Sequence, residues 1–232
     1  MIVDNLHEDN LFTGKHSLPQ NTYLTRIIQS VKNTFIGFIN SIQTAKYKNL
    51  NEDELTQIFV KQNTLQLQNL GLSFMYVGVQ YRDIYHKTKG IPDIYYAFIE
   101  QNVDYEPTFV MEAKRLPAPT KAREKEYVIG TTKSGNPNGG IERFKLKKHG
   151  LGLSECGILA YIEDEDFNYW FNQINDWIKE LSNIENSNWN INECLNNIGV
   201  NHNSSYCLSE VDRDSENLKL HHLWVKIKPN PN

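Results

Sequence analysis

The chain has 232 residues, enough to bury a sizeable core in a single domain. Lys and Arg number 24 against 28 Asp and Glu, a formal charge of −4, which excludes a blanket basic surface, so any nucleic-acid contact must come from a local patch. Cys156, Cys194 and Cys207 are odd in number and lack CxxC spacing, which argues against a disulfide scaffold or a clustered zinc site. The first residues show no basic start followed by an apolar run, and no segment has the length of an apolar span. A soluble, cytoplasmic protein is expected.

In chain order, residues 21–46 carry Leu24, Ile27, Ile28, Val31, Phe35, Phe38, Ile39 and Ile42 at spacings of three and four, which predicts an amphipathic helix capped by Asn21 or Thr22. A second helix is predicted after Asn51, reaching about residue 68, with Leu55, Ile58 and Phe59 toward the core. Glu52, Asp53 and Glu54 suit its positive N-terminal end. The run 71–78, GLSFMYVG, is apolar enough for a strand. Tyr81, Arg82, His86, Lys87 and Lys89 follow in a mixed segment, as groove or as ordinary surface.

The stretch 90–114, GIPDIYYAFIEQNVDYEPTFVMEAK, reads as two strands, about 91–99 and 108–113, joined by a polar reversal. Period two puts Glu112 and Lys114 on one face, with Asp93 at the start of the preceding strand. Two carboxylates and an ammonium at the edge of an apolar sheet are costly to bury unless they neutralise one another or hold a cation.

Beyond Lys114, RLPAPT is a loop broken by Pro117 and Pro119, and a helix is predicted over 121–129. GTTKSGNPNGG, 130–140, lacks the spacing of an ATP-binding loop and reads as a mobile, substrate-ordered segment. A short helix from Ile141 leads into the densest basic run, Arg143, Lys145, Lys147, Lys148 and His149. It is read as a phosphate-facing surface or as a solvated face. CGILAYIE, 156–163, predicts a buried strand. Residues 164–182 predict a helix whose Trp170 and Trp177 belong to its core face. After an Asn-rich stretch, 207–211 and 218–227 predict a terminal hairpin, with adjacent His221 and His222 pointing to opposite faces.

Pro92, Asp93, then Glu112, Ala113 and Lys114 resemble the motif of the PD-(D/E)XK nuclease superfamily. The Gly-Gly, IERF and KKHG run downstream looks like that of restriction-endonuclease-like proteins. The resemblance implies an α/β fold with a restriction-endonuclease-like core, a mixed central sheet flanked by α-helices, over 1–232 as one domain with a hairpin extension at 204–228. It implies a Mg²⁺-dependent endonuclease acting on double-stranded DNA, of type II restriction or defence kind, with Mn²⁺ able to substitute. Asp93, Glu112 and the Ala113 carbonyl would hold the ion, and Lys114 would orient or activate the attacking water. An acidic residue on the preceding helix would join them, Glu54 by choice and Glu52 as the alternative. Arg115, Arg143, Lys145, Lys147, Lys148 and His149 would face phosphates, and a homodimer would place one site on each strand. A catalytically inactive DNA-binding or complex-forming module, and a repair or RNA-processing nuclease, stand as alternatives.

Overall fold

The computed structural model describes residues 20–44, 49–99, 106–214 and 216–227. Most of the reversal predicted around 100–107 and the polar C-terminal tail lie outside them.

Helix α1, Gln20–Thr44, follows the predicted apolar stripe: Leu24, Ile27, Ile28, Val31, Phe35 and Phe38 are all buried. It already includes Asn21 and Thr22, so neither is its cap. Helix α2, Glu52–Asn69, starts at Asn51, whose side chain accepts the Glu54 N–H while the Glu54 carboxylate accepts the Asn51 N–H. The reciprocal pair satisfies two donors that helix geometry leaves orphaned. Between the helices, buried Asn63 donates to Thr34 Oγ1 at 2.8 Å and accepts from the Tyr96 hydroxyl at 2.9 Å, which fixes the helix pair against the sheet.

Among the described residues, seven strands form one mixed sheet in the order β1-β2-β3-β4-β7-β6-β5. The strands β1, Met75–Val79, β2, Ile94–Phe98, and β3, Phe109–Leu116, make an antiparallel meander. After a 3-10 helix, Lys121–Tyr127, and α3, Gly140–Lys145, the chain returns as β4, Glu155–Ile162, parallel to β3. Helix α4, Phe167–Ser182, carries Trp170 and Trp177 buried on its inner face. In the Asn-rich stretch a short 3-10 turn, Ile191–Glu193, precedes β5, Asn196–Val200. The hairpin of β6, Ser204–Asp212, and β7, Asn217–Lys226, then enters the same sheet, β7 lying parallel to β4.

The outcome is a mixed α/β fold with a central sheet flanked by helices. Helices α1 and α2 cover one face through Ile94, Tyr96, Phe109, Met111 and Ala113; α3 and α4 cover the other through Val110, Leu116, Ile158 and Ala160. Alternation along β3 therefore sends Ala113 toward the first core and Glu112 and Lys114 toward the second. Among the described residues, no helix is long and apolar enough to cross a membrane.

Candidate functional site

The site lies where β2 begins and β3 passes its midpoint. The outermost rung of that ladder pairs Ile94 with Met111, so the next step outward sets Asp93 opposite Glu112. Asp93 Oδ2 accepts the backbone N–H of Ala113 at 2.7 Å, which pins the start of β2 to β3. Glu112 is fully buried, and Lys114 Nζ donates to its Oε1 at 2.7 Å and to the Ala113 carbonyl at 3.0 Å. Arg143, from α3, reaches the same Oε1 at 2.5 Å. Buried His149 brings Nδ1 to 3.2 Å from Glu112 Oε2, without the alignment of a hydrogen bond.

Helix α2 closes the other side. Glu52 Oε2 accepts the N–H of Arg115 at 3.0 Å, and its Oε1 lies 3.8 Å from Lys114 Nζ. The sequence favours Glu54 for this position; Glu54 is instead exposed and held in the helix cap. The physical reason is the Asn51-x-x-Glu54 spacing, a capping-box signature that reserves the third helical residue for the cap and turns the first toward the sheet.

The electrostatics follow from burial. Burial raises the Asp93 carboxyl well above its usual range, and neighbouring Glu112 adds to the rise against Lys114 and the Ala113 N–H. Burial likewise raises Glu52, with Lys114 opposing. For Glu112, burial is outweighed by Lys114, His149 and Arg143, which hold it ionised and well below the carboxylate range. Burial would lower Lys114, but Glu112, Glu52 and Asp93 together raise it. Glu112 and Lys114 are therefore a charged pair, while Asp93 is the carboxylate for which ionisation is hardest.

The predicted basic face divides into separate roles. Lys145 is buried, with Nζ 2.7 Å from Glu193 Oε1 and 3.1 Å from the Asp212 carbonyl, so it ties α3 to the C-terminal hairpin and does not meet solvent. Its place at the i+4 position from buried Ile141 is the sequence signal for that inward turn. Lys147 Nζ lies 4.0 Å from Glu216, and Lys148 Nζ donates to the Pro137 carbonyl at 3.1 Å. Arg115 pairs with Glu163 through its Nε. Only Arg143 and His149 of the run join the acidic cluster.

The sequence gives no sign of the residue that holds the His149 loop. Arg213 sits in the predicted turn between β6 and β7, yet is buried, and donates to the carbonyls of Phe144, Gly150 and His149 at 2.9, 3.0 and 3.1 Å. Gly90 packs against the same loop; a Cβ there would come within 2.3 Å of the His149 ring, so close approach requires glycine. The segment predicted to be mobile folds on itself: Thr132 N–H donates to the Asn136 carbonyl at 2.8 Å, and Thr131 bridges Pro137.

Among the described residues, no group of three or more His, Cys, Asp or Glu side chains is disposed to enclose a metal ion. A Mg²⁺-type ion, however, binds through only one or two carboxylates, with water and phosphate oxygens completing its shell. One observation suits such an ion: among the described residues Glu112 Oε2 is buried with no hydrogen-bond partner, 3.2 Å from His149 Nδ1, and Asp93, whose carboxyl is raised by burial and by Glu112, stands opposite it. The Ala113 carbonyl, predicted as a third ligand, accepts from Lys114. Asp93 and Glu112 therefore fit the ion, with Glu52 beside them.

Comparison with protein-family models, curated proteins and solved structures finds no match.

Proposed function

We propose that this chain is a divalent-metal-dependent endonuclease that hydrolyses phosphodiester bonds of double-stranded DNA, in the manner of a restriction or defence enzyme. One observation carries the reading: Asp93, immediately before β2, is one step beyond the Ile94–Met111 rung and so opposite Glu112 of β3, with Lys114 next on the same face and bonded to Glu112 at 2.7 Å. The resemblance to the PD-(D/E)XK motif assigns those three positions to phosphoryl hydrolysis. The mixed sheet flanked by helices and an acidic residue reaching in from α2 support it, with Glu52 in the helix role.

Asp93 and Glu112 would hold Mg²⁺, which when bound would neutralise charge on the phosphoryl group and make hydroxide easier to form. The remaining work belongs to the chain. Lys114 carries a proton-rich ammonium held in the cluster, suited to orient water and stabilise the charge that grows during attack. Arg143 joins Lys114 and His149 in keeping Glu112 ionised, and its guanidinium has further donors for a phosphate oxygen. Glu52 fixes the strand beyond Lys114 through the Arg115 N–H. Two-strand cleavage calls for two such sites, hence a homodimer on DNA.

A second reading, a DNA-binding module without catalysis, draws on the closure of the Lys114, Arg143 and Glu112 pairs upon themselves. Cleavage of duplex DNA with Mg²⁺, lost in Asp93→Ala, tests the first reading. Affinity retained in EDTA, with no cleavage across metals and sequences, is the outcome that would favour the second.

A further inference from the structure

The face that carries Asp93 and Glu112 continues across the sheet onto β1 and β2, where a tyrosine cluster stands open. Alternation puts Tyr95 and Ala97 of β2 on that face with Asp93, which immediately precedes the strand, and sets Gly78 opposite Tyr95 and Tyr76 opposite Ala97. The Tyr95 ring lies 5.7 Å from that of Tyr76 and 5.2 Å from that of Tyr81. Gly78 makes this possible: a Cβ there would come within 2.6 Å of both the Tyr76 and the Tyr95 ring. The backbone is thus shaped for two aromatic rings laid over it.

These rings border a cavity of about 620 Å³ that Arg82 and Ile84 also line. Tyr76 is 48% exposed and Ile84 69%, so the surface is open. The hydroxyl of Tyr81 is buried and has no hydrogen-bond partner among the described residues. Exposed Arg82 has no carboxylate partner there among the described residues, which leaves its positive charge available to a phosphate. Tyr95 is two residues along β2 from Asp93, roughly 7 Å, about one nucleotide of extended backbone.

Resting on the nuclease reading, we propose that this cluster is a stacking platform for an unpaired nucleobase of the strand being cut, next to the reactive phosphate. Aromatic rings accept any base face without reading its sequence. Inside a closed duplex those faces are covered by neighbouring base pairs, so the occupant is a base that is single-stranded, bulged or flipped out. Arg82 contributes charge toward the adjoining backbone, and the Tyr81 ring backs the Tyr95 ring at 5.2 Å. An occupant lacking phosphate would leave Arg82 without a role.

The test is fluorescence anisotropy in EDTA, where no cleavage occurs, with three labelled probes: a dT oligonucleotide, a closed duplex, and the same duplex with one central unpaired nucleotide. Tyr76→Ala is expected to weaken the dT and bulged-duplex complexes about tenfold while leaving the closed duplex within about twofold. Tyr76→Phe, which keeps the ring, is expected to restore wild-type binding. Equal affinity of wild type and Tyr76→Ala for the dT probe overturns the platform, as does an equal loss on all three probes. A dimer in sedimentation that Tyr76→Ala dissociates would assign the patch to a second copy and overturn it as well. If Mg²⁺-dependent cleavage survives while Tyr76→Ala changes no affinity, the platform fails and the nuclease reading stands; absence of binding to every probe in EDTA also overturns the platform, while the nuclease reading is decided by cleavage with Mg²⁺.

Discussion

Lys114 and Glu112 stand two residues apart on β3 and meet at 2.7 Å, with both side chains almost wholly buried. Removing one member of such a pair strands the other charge in the protein interior. Lys114→Ala is therefore expected to destabilise the fold by about 3 kcal/mol or more. Urea unfolding checks this, and its outcome decides how any lost activity of that variant is read. A midpoint unchanged from wild type would show that water already reaches the pair.

Asp93 gives a cleaner probe of chemistry. The folded state holds its carboxyl pKa above the ordinary value, by burial and by Glu112, so the folded chain binds the proton more tightly than the unfolded chain does. Stability from this group is present in full below the ordinary carboxylate range, about pH 4, and is lost as pH rises through the folded value. Asp93→Asn keeps an oxygen for the Ala113 N–H and removes the ionisation. It is expected to melt at or above the wild-type temperature at neutral pH in EDTA, and to lose any stabilisation that Mg²⁺ gives the wild type. Thermal melts at pH 4 and pH 7.5, with and without Mg²⁺, measure both effects; an Asn variant markedly less stable at pH 7.5 would contradict them.

Glu52 and Glu54 separate site from cap. Glu54→Ala removes the carboxylate that accepts the Asn51 N–H, and is expected to cost about 1 kcal/mol with turnover per folded molecule intact. Glu52→Ala removes the acceptor of the Arg115 N–H and the acid beside Lys114, and is expected to lower turnover at least tenfold. Paired melts and cleavage rates distinguish them. A larger activity loss at Glu54 would restore it as the acidic residue of the preceding helix.

How far the sequence leads is clearest at these positions. Asp93, Glu112 and Lys114 were legible because strand alternation is strict, and two turn-bounded apolar runs place them without any knowledge of neighbours. The helices α1 and α4 were legible because their apolar stripes repeat over several turns. For Lys145 charge alone suggests solvent; its partner Glu193 lies 48 residues away and is brought in by tertiary packing. Arg213 was hidden by the same cause: a turn-like composition around it gives no hint that three carbonyls of the 144–150 segment converge on its guanidinium. His149 was placed on the nucleic-acid face, but the loop clamped by Arg213 folds it inward against Glu112. Glu52 is recoverable from the Asn51-x-x-Glu54 capping-box spacing, which reserves Glu54 for the cap.

Lys145 also yields a direct comparison. Lys145→Ala leaves Glu193 buried without its ammonium and is expected to destabilise by about 3 to 5 kcal/mol. Lys148→Ala, at a half-buried site bonded to one carbonyl, is expected to cost under about 1 kcal/mol. Denaturant midpoints rank the two, and a Lys145→Ala variant as stable as wild type would mean that the Glu193 pair contributes nothing net.

The most direct measurement is Mg²⁺-dependent cleavage of a pooled duplex library with the ends sequenced, run beside Asp93→Ala and an EDTA control. The expected result is defined cut ends from the wild-type chain, absent in EDTA and absent from Asp93→Ala, while the variant still melts cooperatively. Intact DNA across sequences, modifications and both Mg²⁺ and Mn²⁺, or cutting that survives Asp93→Ala, would contradict an active site built on Asp93, Glu112 and Lys114.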